Sequence, residues 1–213
     1  MTASDNSNKS AKSAPAPTET SATFPANWTA EILRTPPLIA PARQVTWPQR
    51  VAGEEDALAR GALLVLVKPA SGGAFLATCA LGFRDPSLPS GIWPCPRRDD
   101  LLAVAGGYAY LVDTRSPDQC LHLPLRPVTQ VLPAPQENLI LLAGFHTIAA
   151  LGASGLLWET ARLSWEGLTL NEIRDGQLHG LGWNMPTDRE LPFTVDLRTG
   201  SHTGGGFERE TRQ

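Results

Sequence analysis

The sequence is short of charge, and shorter still of lysine. Charged residues make up 18% of the 213, below the roughly 25% usual in soluble domains. Lys9, Lys12 and Lys68 are the only lysines, so arginine supplies nearly all the positive charge. With 18 basic against 21 acidic residues the formal net charge is −3, which argues against nucleic-acid binding through a basic surface. No apolar run approaches the ~18 residues of a membrane helix. The opening MTASDNSNKS lacks the apolar core of an export signal. Cysteine is scarce and scattered: Cys79, Cys95 and Cys120 form no C-x-x-C, so neither a thiolate zinc site nor a redox motif is indicated. The three read as free structural thiols in a reducing compartment, the cytoplasm. No metal, no cofactor and no membrane contact is expected.

Hydrophobic residues are plentiful at 42%, enough for a real core. Glycine and proline, 19 of each, together exceed the usual ~12% and punctuate the chain into short segments. Residues 1–26 are Ser, Thr, Ala and Pro with one large apolar residue after Met1, Phe24, and read as a disordered tail. Residues 27–57 are more apolar but broken by Pro36, Pro37, Pro41 and Pro48. They read as an anchoring segment held by Trp28, Ile32, Leu33 and Trp47, with a short helical turn over 54–60. Residues 58–207 form the body, and residues 208–213 a flexible end.

The body is strand-like. Leu63–Val67, Leu101–Ala105 and Leu139–Ala143 are short apolar runs bounded by turn residues, the pattern of buried strands. Asp175-Gly176 separates two further strands and fits a tight hairpin turn. The openings Leu63, Leu101 and Leu139 are 38 residues apart, and so are Gly106, Gly144 and Gly182. A strand-rich period near 40 residues predicts an all-β fold of repeated antiparallel sheets, a small β-propeller-like or open blade array.

Ala150-Leu151-Gly152-Ala153-Ser154-Gly155-Leu156-Leu157-Trp158 and Val195-Asp196-Leu197-Arg198-Thr199-Gly200 carry a resemblance. With Val112-Asp113-Thr114-Arg115-Ser116 as a weaker echo, they are similar to the repeat of quinoprotein-type (PQQ-like) β-propellers. The resemblance implies a strand, a tight turn and a second strand whose tryptophan packs between blades. It implies nothing specific about ligand or activity, because many such repeats serve as scaffolds.

Candidate binding residues concentrate between Trp158 and Trp183. Strand alternation through WETARLSWEG places Trp158, Thr160, Arg162 and Ser164 on one face. A Trp/Arg face is the composition of an interaction hot spot, and equally of packing between blades. His146, at a strand end, and Asp188, in an inserted loop 184–190, complete the candidate set of Trp158, Arg162, Trp183, Asp188 and His146. Gly204-Gly205-Gly206 reads as a flexible exit from the last strand.

The favoured function is a non-enzymatic interaction module presenting loops and a Trp/Arg face to a protein partner, with a homodimer left open. The alternative is a carbohydrate-active hydrolase or a small-molecule binder using a central pocket. A hydrolase requires Asp113, Glu166, Asp188 or Asp196 to meet within one pocket.

Overall fold

The structure is a computed structural model describing residues 23–48 and 57–207. Sixteen strands form four four-stranded sheets among these residues. Sheet 1 contains β1 (Trp28–Leu33), β2 (Arg43–Trp47), β3 (Ala62–Pro69) and β4 (Phe75–Ala80), in the order β1-β3-β4-β2. Sheet 2 follows the chain through β5 (Gly91–Pro94), β6 (Asp100–Ala105), β7 (Tyr108–Asp113) and β8 (Cys120–His122). Sheet 3 does the same through β9 (Gln130–Ala134), β10 (Leu139–Ala143), β11 (Ile148–Gly152) and β12 (Gly155–Glu159). Sheet 4 closes the series with β13 (Leu168–Arg174), β14 (Gln177–Asn184), β15 (Arg189–Asp196) and β16 (His202–Gly204).

The 38-residue period is therefore the sheet repeat. Leu63, Leu101 and Leu139 lie at the start of the second strand across each sheet, and Gln177 opens its counterpart in sheet 4. β6 and β10 are buried along their whole length because a sheet packs on each of their faces. This explains why they read as unbroken apolar runs rather than alternating ones. β13 and β14 turn at Asp175-Gly176 with φ of 52° and 72°, the left-handed pair that a two-residue hairpin requires.

Three clusters join the sheets in series. Val65, Val67, Phe75, Leu101, Tyr108 and Tyr110 fill the junction of sheets 1 and 2. Leu102, Val104, Ile140, Leu142 and Leu151 fill that of sheets 2 and 3. Leu141, Ile148, Leu163, Leu178, Phe193 and Val195 fill that of sheets 3 and 4. The first strands converge, β1 against β5 and β9 against β13, so the array fans like blades. The fold is an all-β, propeller-like repeat of four sheets.

Several expectations need correction. Residues 27–57 are not merely an anchoring segment: they supply β1 and β2, both edges of sheet 1. β2 runs parallel to β4, so sheet 1 is mixed while the other three are antiparallel. β1 and β2 lie at opposite edges of the sheet, and residues 34–42, which hold the prolines, cross between them. Phe24, assigned to the tail, is 6% exposed and packs with Leu102 and Cys95, so the folded body begins before residue 27. Residues 57–60 form a 3-10 turn (Ala57–Arg60), whereas 54–56 and the tail segments 1–22 and 208–213 lie outside the described residues. Gly204-Gly205-Gly206 is not a loose exit. The Gly205 amide donates to the Pro192 carbonyl and the Gly206 amide to the Leu163 carbonyl (2.9 and 2.7 Å). A Cβ on Gly206 would stand 2.1 Å from the Trp183 carbonyl oxygen, so the glycine marks a close approach. No helix among the described residues is long and apolar enough to cross a membrane.

Candidate functional site

The hairpins β6–β7, β10–β11 and β14–β15 turn at one end of the sheets, here the upper rim. The connections between successive sheets return to the same end, because each of sheets 2–4 starts and finishes there. Four of the five candidate residues meet this rim between sheets 3 and 4.

β12 ends at Glu159, so the alternation assumed through Arg162 does not continue. The Thr160 hydroxyl accepts the Ile148 amide (3.0 Å), and the chain leaves the sheet. Residues 160–167 form a connection plugged by buried Leu163, whose amide donates to the His146 carbonyl (2.8 Å). The Ser164 hydroxyl faces both the amide and the carbonyl of Trp183 (2.9 and 3.2 Å). These bonds fix the loop against β14 and leave Arg162 and Trp165 on the rim.

The Arg162 guanidinium donates to the carbonyls of Ser164 (2.9 Å) and Trp165 (2.8 Å). It lies 5.2 Å from the Trp165 ring centre and 4.6 Å from that of Phe207, and the two rings meet edge-on at 5.0 Å. A guanidinium set against two neighbouring aromatic rings gains from their quadrupoles while its N–H groups bond the carbonyls. Its third partner is the Nδ1 of His146 at 3.4 Å. Arginine only donates, so Nδ1 accepts and a neutral His146 carries its proton on Nε2. No carboxylate among the described residues pairs with Arg162.

At the same rim, the face of β14 turned away from sheet 3 carries Trp183. The Trp183 indole donates to Asp188 (3.1 Å), which adopts φ 51° in the β14–β15 turn. That turn spans only residues 185–188, so the stretch 184–190 is a hairpin tip and not an insertion. The buried Asn184 holds it, donating to the Gly206 carbonyl (2.7 Å) and accepting from the Thr187 amide and hydroxyl (3.1 and 2.6 Å). Phe145 and Met185, in the adjacent turns, are 38% and 50% exposed.

Trp158 stands apart. Its indole donates to the Leu197 carbonyl (3.0 Å) and its ring covers Gly200, within the core of sheets 3 and 4. The tryptophan of sheet 3 thus docks on the 195–200 turn of sheet 4. Trp28 makes the same kind of bridge, donating to the Asp100 carbonyl (3.0 Å) from sheet 1 to sheet 2.

The four carboxylates weighed for hydrolysis do not converge. Asp113 sits opposite Asp100 at the far end of sheet 2, where both meet Arg97. Asp196 accepts from the Arg198 and Thr199 amides of its own turn. Asp188 and Glu166 lie on the upper rim. A depression beside the sheet 1–2 connection is lined by Phe83, Arg84, Asp85 and Leu88. Cys79 and Cys95 are buried and Cys120 half-buried, all unbridged; burial pushes the Cys120 thiol up to about 12 and the other two higher.

Trp165 and Phe207 escaped the sequence reading. Strand alternation put Trp165 opposite Arg162, and Phe207 was read only as the last residue of the body. The signal was in the glycines before Phe207, since a Gly-Gly-Gly run ahead of an aromatic fits a backbone pressed onto a neighbour.

No protein-family model matches the chain, and no curated protein matches it. The chain is similar to the WD40 domain of SCAP from fission yeast, at 12% identity and TM-score 0.32, over 62% of this chain and 38% of that one. It is also similar to the N-terminal domain of Nup159, at 12% identity and TM-score 0.35, over 85% of this chain and 51% of that one. The chain spans 38% and 51% of those two neighbours' lengths. Likenesses so distant add nothing to the four-sheet architecture established by the strand pairing.

Proposed function

We propose that the protein is a non-enzymatic interaction module whose upper rim, between sheets 3 and 4, receives a protein partner. One observation carries this reading: half-buried Arg162, Trp165 and Phe207 cluster on the rim, with exposed Phe145 and Met185 in the adjacent turns. Aromatic, Met and Arg side chains are the types enriched at binding hot spots. Here they stand on loops held by backbone hydrogen bonds, so little ordering cost remains for association. His146 supplies a polar group beside that apolar centre, and the Trp183–Asp188 pair stands at the same rim on the other face of β14. Kinship with quinoprotein-type repeats and a cytoplasmic setting belong to the same reading, supported by the docking of Trp158 and by three free thiols.

The test uses the full chain as bait. A partner captured by the wild-type protein is to be lost from Arg162→Ala/Trp183→Ala and from Arg162→Ala/Trp165→Ala. Each variant must melt within a few degrees of the parent. Retention of the partner by both folded variants overturns the assignment of the rim, and unfolding of both makes the cluster structural.

A further inference from the structure

Each internal junction pairs the trailing face of one sheet with the leading face of the next. Among the described residues, two sheet faces are left without a neighbouring sheet. On sheet 4 the outward residues are Thr169, His179, Leu181, Pro192 and Thr194, with Trp183 at the upper corner. On sheet 1 they are the half-buried Leu64 and Leu66 and the exposed Lys68, beside Leu76, which is already covered within the chain; they alternate with the Val65, Val67 and Phe75 of the first core. None of these residues belongs to the three described clusters.

Sheet 1 also carries the two most exposed large apolar residues described, Leu38 at 106% and Ile39 at 90%. They sit in the β1–β2 crossover between Pro37 and Pro41, where prolines limit the backbone freedom that docking would cost. Charge differs between the two ends. The outer side of sheet 4 bears Glu172, Glu190 and Asp196 against Arg174, whereas sheet 1 and its crossover bear Lys68 and Arg34 against Glu31.

We infer that the chain associates head to tail with a second copy. Leu38 and Ile39 of one copy pack on the Leu181–Pro192 face of sheet 4 in the other, with Arg34 and Lys68 facing the Glu172/Glu190 side. This goes beyond the rim reading and uses a different surface. The occupant follows from the repeat: the free faces are the leading and trailing faces of one series, so a further copy continues the packing that already joins sheets 1 to 4. Two such contacts close two copies into a ring of eight sheets, within the 4–8 blades of known propellers. A rotation that closes also ends the assembly at two copies rather than a filament.

Sedimentation of the full chain tests this. The wild type sediments at twice the chain mass at micromolar concentration. Leu38→Ser/Ile39→Ser alters two solvent-exposed residues and weakens the dimer roughly tenfold or more, as does Leu181→Glu. Glu172→Lys/Glu190→Lys makes the same break without touching apolar packing. A mixture of Leu38→Ser/Ile39→Ser with Leu181→Glu regains a heterodimer, because one of its two contacts is intact. A monomeric wild type overturns the proposal, even if the same faces bind another protein or the chain's own amino-terminal segment. A dimer that survives Leu38→Ser/Ile39→Ser, or a mixture that forms no heterodimer, overturns it equally.

Discussion

At the residue scale the most constrained position is Gly206. It has no role in chemistry; it lets the chain after β16 pass against Trp183 and bring Phe207 beside Arg162. Gly206→Ala forces a methyl into a carbonyl oxygen 2.1 Å away, and neither the β14 backbone nor the strap can yield freely. Overpacking of this kind costs about 1–3 kcal/mol. The expected result is a lower urea midpoint together with loss of Phe207 from the rim, read as greater quenching of Trp165 fluorescence. An unchanged midpoint would mean that the strap is loosely held. The sequence shows a glycine run here, but freedom and close approach both ask for glycine. Only the position of the neighbouring strand separates them.

At the element scale, Asp100 and Asp113 face one another across β6 and β7, and like charges so placed repel. Arg97 resolves the conflict by contacting both, Asp113 at 3.1 Å. Partial burial works to raise the Asp113 carboxyl, but the Arg115 amide and the Arg97 and Arg115 guanidiniums together hold it below its ordinary value. A carboxylate held low stabilises the fold above its unfolded value, near 3.8, and loses that contribution as pH falls through the lower folded value. Arg97→Met leaves the buried Asp100 beside Asp113 without their shared cation. The cost is about 2 kcal/mol at pH 7, below that of a fully buried pair because Arg97 is 40% exposed. It shrinks below about pH 4, where protonation removes the repulsion. Melting curves of both proteins across pH 3 to 7 read this directly, and a gap that stayed constant would assign the loss to packing.

The same scale shows what the sequence made legible. β6, β10 and the Asp175-Gly176 hairpin were readable because burial on both faces and a two-residue turn each leave a local mark. β1 and β2 were not, since edge strands interrupted by prolines resemble a linker and their partners lie tens of residues away. The candidate site divides in the same way. His146 and Arg162 were singled out and do meet at 3.4 Å, whereas Trp158, of identical local character to Trp183, is committed to the sheet 3–4 core. Composition marks side chains able to bind; tertiary packing decides which of them remain on the surface.

For the whole molecule, the series of three cores makes sheet 1 a terminal unit that depends on sequence before residue 58. Its strands β1 and β2 bring Trp28, Val45 and Trp47 into the first core, and Phe24 joins the second. Each large apolar side chain so buried contributes about 1.5–3 kcal/mol, and domain stabilities total only about 5–15 kcal/mol. A fragment spanning 58–207 therefore loses an amount comparable to the whole. It would also bare both β3 and β4 as new edges, an invitation to aggregate. We expect that fragment to be insoluble or to lack the near-ultraviolet dichroism of the parent, while 23–213 melts cooperatively. Should 58–207 instead remain monomeric with a sharp melt, sheets 2 to 4 would be an independent folding unit and sheet 1 an appendage. Coupling through successive neighbours alone would give that result, because a lost terminal unit then weakens only the sheet beside it; Phe24, reaching past sheet 1 into the second core, argues for the loss.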